Sequence, residues 1–140
     1  AEGRQHYGEY AAVQLAHAEA VSALRWAADL GISRPDPGDR LGDLLSAGAE
    51  RELLGLLSWL PVRVAGAARH RRPGELPHFL EDVATSWTAC RLRCPALPFG
   101  GSAAPGEPDL AAARLLLAEA VAVALAAGLA LTGIAATARI

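Results

Sequence analysis

The chain has 140 residues, a formal charge of -2 and a 52% hydrophobic content, enough for one domain with a single core but too little for a catalytic domain beside a separate recognition domain. Aromatic residues make up 5% and alanine and leucine dominate, so a β-sandwich is excluded and an all-α chain is expected. All 13 basic residues are arginine, which removes any Walker A loop, Schiff-base lysine or lysine-bearing ATP motif.

The periodic stretch after Gly8, with Val13, Leu15, Ala16, Val21, Leu24 and Ala28 at helical spacing, predicts a first helix that Gly31 stops. Pro35, Pro37 and Gly38 predict an irregular connector, since each proline lacks the amide proton that a helix interior requires. A second helix is expected from about Ala49, with Glu50 and Glu52 at the positive end of its dipole and Leu53, Leu54, Leu56, Leu57 and Leu60 behind them. Pro61 interrupts it and suits the first turn of a third, short helix over 61–70. Arg71, Arg72, Pro73 and Gly74 break the chain. A fourth helix then carries Leu76, Phe79, Leu80, Val83 and Trp87 inward until Pro95. Residues 95–108 hold four prolines and three glycines and are expected to form a loop. Asp109 is the expected N-cap of a last helix, and Gly128 its left-handed C-terminal stop. The expected architecture is one domain over 1–140, a helical bundle of about five helices.

Charge is unevenly spread. Residues 1–60 carry five arginines against nine acids, residues 61–94 six against three, and residues 95–140 two against three. Only the middle third is basic. Two cysteines and no charged-then-apolar opening segment point to the cytoplasm. The uncharged run over 120–138 approaches a bilayer-spanning length, but it is alanine-rich, contains Gly128 and Gly133, and has no basic flank before it. It reads as a buried helix end, and no membrane partner is expected.

The chemistry on offer is sparse. No Gly-x-Ser-x-Gly occurs, and neither Cys90 nor Cys94 has a histidine close in sequence to activate it. Four residues apart, the two thiols supply half of a closed zinc site and read as buried small hydrophobes. Glu75 and His78 match one half of a di-iron element whose second copy is missing. His17, set among alanines, reads as a packing residue. Arg69, His70, Arg71 and Arg72 are the strongest charge feature, either a solvated helix terminus or an edge whose guanidinium forks meet phosphate.

Three stretches taken together resemble the DALR anticodon-binding domain of arginyl-tRNA synthetases, a helical domain of the class I synthetases. Val13-Gln14-Leu15-Ala16-His17-Ala18 is similar to the family's Val-Gln-Tyr-Ala-His-Ala. The run from Trp87 through Cys94-Pro95-Ala96-Leu97 is similar to its aromatic-threonine pattern closing on Cys-Pro-Val-Leu. Ala113-Arg114-Leu115 followed by Gly128-Leu129-Ala130-Leu131 and Gly133-Ile134 is similar to its last helix. The resemblance implies binding of a tRNA anticodon, with arginine tRNA as the partner. ATP and magnesium would serve a catalytic domain of the parent protein, and neither the His-Ile-Gly-His nor the Lys-Met-Ser-Lys signature of that domain is present here. No cofactor is expected in this chain, and a start at Ala1 favours an excised piece.

Departures from the family fall on its RNA-facing positions. Its first-helix tyrosines become Ala11, Ala12 and Leu15, a following arginine becomes Glu19, and a Phe-Tyr pair becomes Cys90-Arg91. A base stacked on an aromatic is worth about 1–3 kcal/mol, so this drift suggests a paralogue with a loosened or altered RNA partner. The expected contacts are Gln14 to a base edge, Trp87 as a stacking ring if exposed, and Arg69, Arg71, Arg72 and Arg91 to phosphates. The alternative is a degenerate domain that scaffolds a partner or a homodimer through its alanine-rich helices.

Overall fold

The computed structural model describes residues 10–32, 34–70, 74–96 and 107–133, apart from the side chains of His70 and Glu107. They form α1 (Ala11–Asp29), a 3-10 turn (Gly38–Arg40), α2 (Leu41–Leu44), α3 (Gly48–Ser58), α4 (Leu60–His70), α5 (Glu75–Arg93) and α6 (Glu107–Leu131), with no strand among the described residues. The five long helices are those the periodicity predicts. α5 touches α1, α3, α4 and α6, while α1 and α6 share the most extensive helix contact.

α1 ends as its sequence requires. Gly31 takes a left-handed φ of 68°, the Ile32 amide donates to the Ala27 carbonyl at 3.0 Å, and the Gly31 amide donates to Ala28 at 3.1 Å. This pairing satisfies carbonyls that a helix end otherwise leaves bare, and a Cβ at Gly31 would strain it.

The connector is more ordered than its prolines suggest. Asp36 Oδ1 accepts the Gly38 amide at 2.9 Å, a side-chain turn that starts the 3-10 segment. The segment runs on into α2, which carries Leu41 and Leu44 against the core and leads to the fully buried Leu45. Burial of these leucines outweighs weak local propensity. Two further expectations are corrected at α6. Asp109 is not its N-cap, because the helix begins at Glu107 and the Asp109 carboxylate instead accepts from Arg40 at 3.1 Å. Gly128 is not its stop. It lies inside the helix, where a Cβ would run into the methyls of buried Leu80, and the left-handed residue is Gly133, with φ 81°. Glycine at 128 thus serves close approach of α6 to α5.

α6 from Pro108 to Leu131 is long and apolar enough to cross a membrane by length and composition, and half of that stretch is buried in this fold. Buried alanines on both sides, Ala16, Ala20 and Ala27 on α1 and Ala113, Ala118 and Ala122 on α6, let the two helices lie close along their length. α4 is lightly held. Val64 and Ala67 touch the core, and Arg63 lies 5.8 Å from the centroid of Phe79 on α5, within cation–π range.

A buried ion pair ties the layers together. Glu50, at 1% exposure, reaches back from the first turn of α3 to accept the Ala47 amide at 3.2 Å. Its other oxygen accepts Arg114 Nε from α6 at 3.0 Å, and Arg114 Nη1 donates to the Pro95 carbonyl just beyond α5, also at 3.0 Å. The dipole role read from the sequence for Glu50 is compatible with this bridge, but the bridge itself joins three distant segments.

Two outcomes follow in chemical denaturation. Arg114→Met strands the Glu50 carboxylate and lowers stability by about 3–5 kcal/mol, the cost of unpairing a buried charge. Gly128→Ala is destabilising by about 1–3 kcal/mol from overpacking against Leu80, partly offset by a gain of roughly 1 kcal/mol in helix propensity. Gly128→Ala is expected to cost measurably less in a Leu80→Ala background than alone.

Candidate functional site

Helical geometry places positions 15, 19, 22 and 26 of α1 on one face, since their spacings of four, three and four close on the 3.6-residue turn. Leu15 is 43% and Trp26 58% exposed on that face. Across from it stands the C-terminal half of α5. Between them runs a groove of about 330 Å3, walled by Glu19, Ser22, Ala23 and Trp26 on α1 and by Trp87, Cys90, Arg91 and Cys94 on α5. Pro95 and Ala96 extend one wall, and Arg114 and Leu117 of α6 complete the lining.

Two ion pairs set the electrostatics. Glu19 Oε2 accepts Arg91 Nη1 at 3.0 Å across the groove, the arginine being the more exposed partner. The second is the Glu50–Arg114 bridge beneath. Trp87 lines the groove with only 5% of its surface exposed, and its buried Nε1–H meets no acceptor among the described residues. Burial, the neighbouring Cys94 and the Glu50 charge push the Cys90 thiol up from 9.0 to about 11, against a smaller downward pull from Arg114. A thiol so held is protonated at neutral pH and is a poor nucleophile or metal ligand. Among the described residues no cluster of three or more His, Cys, Asp or Glu side chains is placed to hold a metal ion. The groove combines the open indole of Trp26 with the Glu19–Arg91 pair, and its residues are not arranged for covalent catalysis.

The structure disperses the contact residues predicted from sequence. Arg91 lines the groove, paired with Glu19. Gln14 is half-buried near the start of α1, about 18 Å along the axis from Trp26 at 1.5 Å per residue. Arg69 is exposed near the end of α4, whereas Arg91 lies near the end of α5. Arg71 and Arg72 lie outside the described residues. Trp87 as a stacking ring is corrected: the inward stripe that continues Leu76, Phe79, Leu80 and Val83 carries its ring into the core, where 5% of its surface stays exposed. His17, expected to pack, is buried.

Sequence reasoning missed Trp26. Its signal was the helical phase, since 26 lies 11 residues after 15 and shares its face within about 20°. The aromatic surface absent at Ala11, Ala12 and Leu15 is present three turns further along the same stripe. Glu19 registers in the sequence as a charge reversal, but its pairing with a residue 72 positions away has no local signature.

Comparisons with known proteins agree with this picture. The family model for the DALR anticodon binding domain matches residues 13–140. The chain is 35% identical over 127 residues to the arginine–tRNA ligase of Moorella thermoacetica, covering 91% of the chain and 21% of that protein. It is 39% identical over 125 residues to the ligase of Nitratidesulfovibrio vulgaris (89% and 22%), and 37% identical over 127 residues to that of Micrococcus luteus (89% and 22%). The chain thus spans about a fifth of the length of the curated relatives it matches.

Protonation of Cys90 has a measurable consequence. The folded state holds this proton up to about pH 11 whereas an ordinary thiol releases it near 9.0, so the contribution to stability is complete below pH 9 and is lost as pH rises through 11. Unfolding midpoints are expected to fall across that window. At pH 8, peptide mapping after brief iodoacetamide exposure is expected to show Cys90 modified about 100-fold more slowly in the folded than in the urea-unfolded chain, from thiolate fraction alone.

Proposed function

The chain belongs to the DALR anticodon-binding domain family, and from that premise we propose that it grips the anticodon stem-loop of a tRNA, with arginine tRNA as its specific partner. The observation that carries this reading is the family match over nearly the whole chain, 13–140, joined to relatives that are arginine–tRNA ligases. The parent protein would attach arginine to that tRNA in the cytoplasm, drawing on ATP and magnesium in a catalytic domain that these residues do not form. The contribution of the present domain is recognition. Arg69, near the end of α4, and Arg93, at the end of α5, are both exposed and in no ion pair among the described residues, and they support phosphate contacts. Arg71, Arg72 and Arg91 extend the same role, the last once Glu19 releases it. Gln14 would meet a base edge.

Guanidinium forks match phosphate oxygens in pairs, and each such contact displaces condensed counterions.

A second reading has one observation in its favour. Leu15 and Trp26 on α1 and Leu30 just after it are large exposed apolar side chains, a surface that self-association or a partner protein would cover. Light scattering on the eluting chain separates the two, because a dimer that protects Trp26 from aqueous quencher favours scaffolding.

For the first reading, affinity for the anticodon stem-loop of arginine tRNA is expected to fall by at least tenfold between about 50 and 200 mM salt. Arg69→Glu, Arg71→Glu and Arg72→Glu are each expected to weaken binding and to flatten the log–log salt slope by about 0.7–0.9 for every phosphate that is no longer neutralised. Affinity indifferent to salt and to all three changes would overturn the phosphate role.

A further inference from the structure

Cys90 and Cys94 are the two cysteines of the chain, and the fold sets them side by side. Both are free, their thiols share a hydrogen bond, and both line the groove where α5 ends. Cys94 keeps 8% of its surface exposed and Cys90 3%. A reagent entering the groove therefore meets Cys94 first, while Cys90 needs access to nothing but its neighbour's sulfur. The backbone at Cys94 has already left the helix, with a φ of -130° and a ψ of 67°, and its amide donates to the Cys90 carbonyl at 2.7 Å. Directly beyond it, the Pro95 carbonyl is one of the two acceptors that hold the Arg114 guanidinium.

We propose that Cys90 and Cys94 form a reversible oxidation site, closed to a disulfide by exchange with a small-molecule disulfide, and that closure loosens the hold of Arg114 on the end of α5. The Cys94 thiolate attacks one sulfur of the reagent, the S–S bond of the reagent breaks, and the first thiol leaves with the proton that Cys94 gave up. Cys90 then gives up its proton and attacks the Cys94 sulfur of the mixed disulfide, and the second reagent thiol departs with that proton. The two cysteines are oxidised by two electrons, and the reagent is reduced to two thiols. Burial, Cys94 and the Glu50 charge hold Cys90 protonated, so the second step is the slow one. Its being intramolecular offsets that cost. Side chains four apart on a helix have Cβ atoms about 5–6 Å from each other, whereas a disulfide requires about 3.5–4.5 Å. Closure draws Cys94 toward Cys90 and Pro95 with it, which moves the Pro95 carbonyl off Arg114. A bridge formed under such strain is easily reduced again, as labile and regulatory disulfides are.

The test incubates the folded chain with excess oxidised glutathione at pH 8 and digests it with trypsin, which cuts after Arg91 and Arg93 and so separates the two cysteines. The expected product is a pair of peptides joined through Cys90 and Cys94, formed by way of a glutathione adduct on Cys94 and returned to the reduced chain by dithiothreitol. Cys90→Ser is expected to stop at that adduct, and Cys94→Ser to react about tenfold more slowly than the unaltered chain. In the 15N-labelled chain the Arg114 Nε–H signal, assigned by Arg114→Lys, is expected to shift and to exchange with solvent several-fold faster once the bridge has closed, and to recover with dithiothreitol. A lasting adduct on Cys94 without a bridge, or a folded chain that leaves both thiols untouched, overturns the oxidation site. A closed bridge with an unmoved Arg114 signal overturns the loosening. Neither readout involves RNA, so the anticodon-binding reading stands or falls separately.

Discussion

A buried ion pair between Glu50 and Arg114 organises the molecule. Arg114 is the only charged residue of α6 between Asp109 and Glu119, and its guanidinium is divided between the Glu50 carboxylate and the Pro95 carbonyl. One side chain therefore sets where α6 sits relative to the start of α3 and the exit of α5. Because a carboxylate as buried as Glu50 is tolerated only when paired and hydrogen-bonded, the geometry is restrictive: Glu50 accepts both the Ala47 amide and Arg114. The groove is built on that junction. Cys90, Cys94 and Pro95 line it because the chain leaves α5 there, and the raised Cys90 pKa partly reflects the Glu50 charge close by.

Small residues provide the other half of the design. α1 buries alanines and no leucine, α6 buries Ala112, Ala113, Ala118, Ala122 and Ala124 beside its leucines, and Gly128 admits Leu80 of α5. Each alanine contributes little transfer energy, roughly one methyl's worth of the ~0.8 kcal/mol that a buried CH2 carries. Close approach over several turns recovers it through many weak dispersion contacts. The same economy leaves few large side chains facing out on α1, which makes Trp26 conspicuous. Ala11, Ala12 and Leu15 cannot stack a base, while an indole occupies the same stripe nearer the end of the helix. Glu19 and Arg91, both departures from the family pattern, meet each other. A charge reversal on one helix is thus answered by an arginine on another.

The amino-acid sequence by itself determined the helical class, the five long helices and the Gly31 stop, because apolar periodicity, proline and a left-handed glycine act within a few residues of one another. It also carried the family, through motifs spread over all three of the major packing helices. It could not reveal the helical turn before Leu45, since those leucines adopt it only when a core exists to bury them. Gly128 and Asp109 follow the same rule: glycine and aspartate are read locally as stop and cap, yet one is needed for Leu80 and the other pairs with Arg40. The groove is wholly a product of tertiary structure. Trp87 faces inward, Trp26 outward, and Glu19 reaches Arg91 across 72 residues of chain, because which side of a helix meets a neighbour depends on how the helices cross, and that is set by packing and by one buried charge pair rather than by any nearby residue.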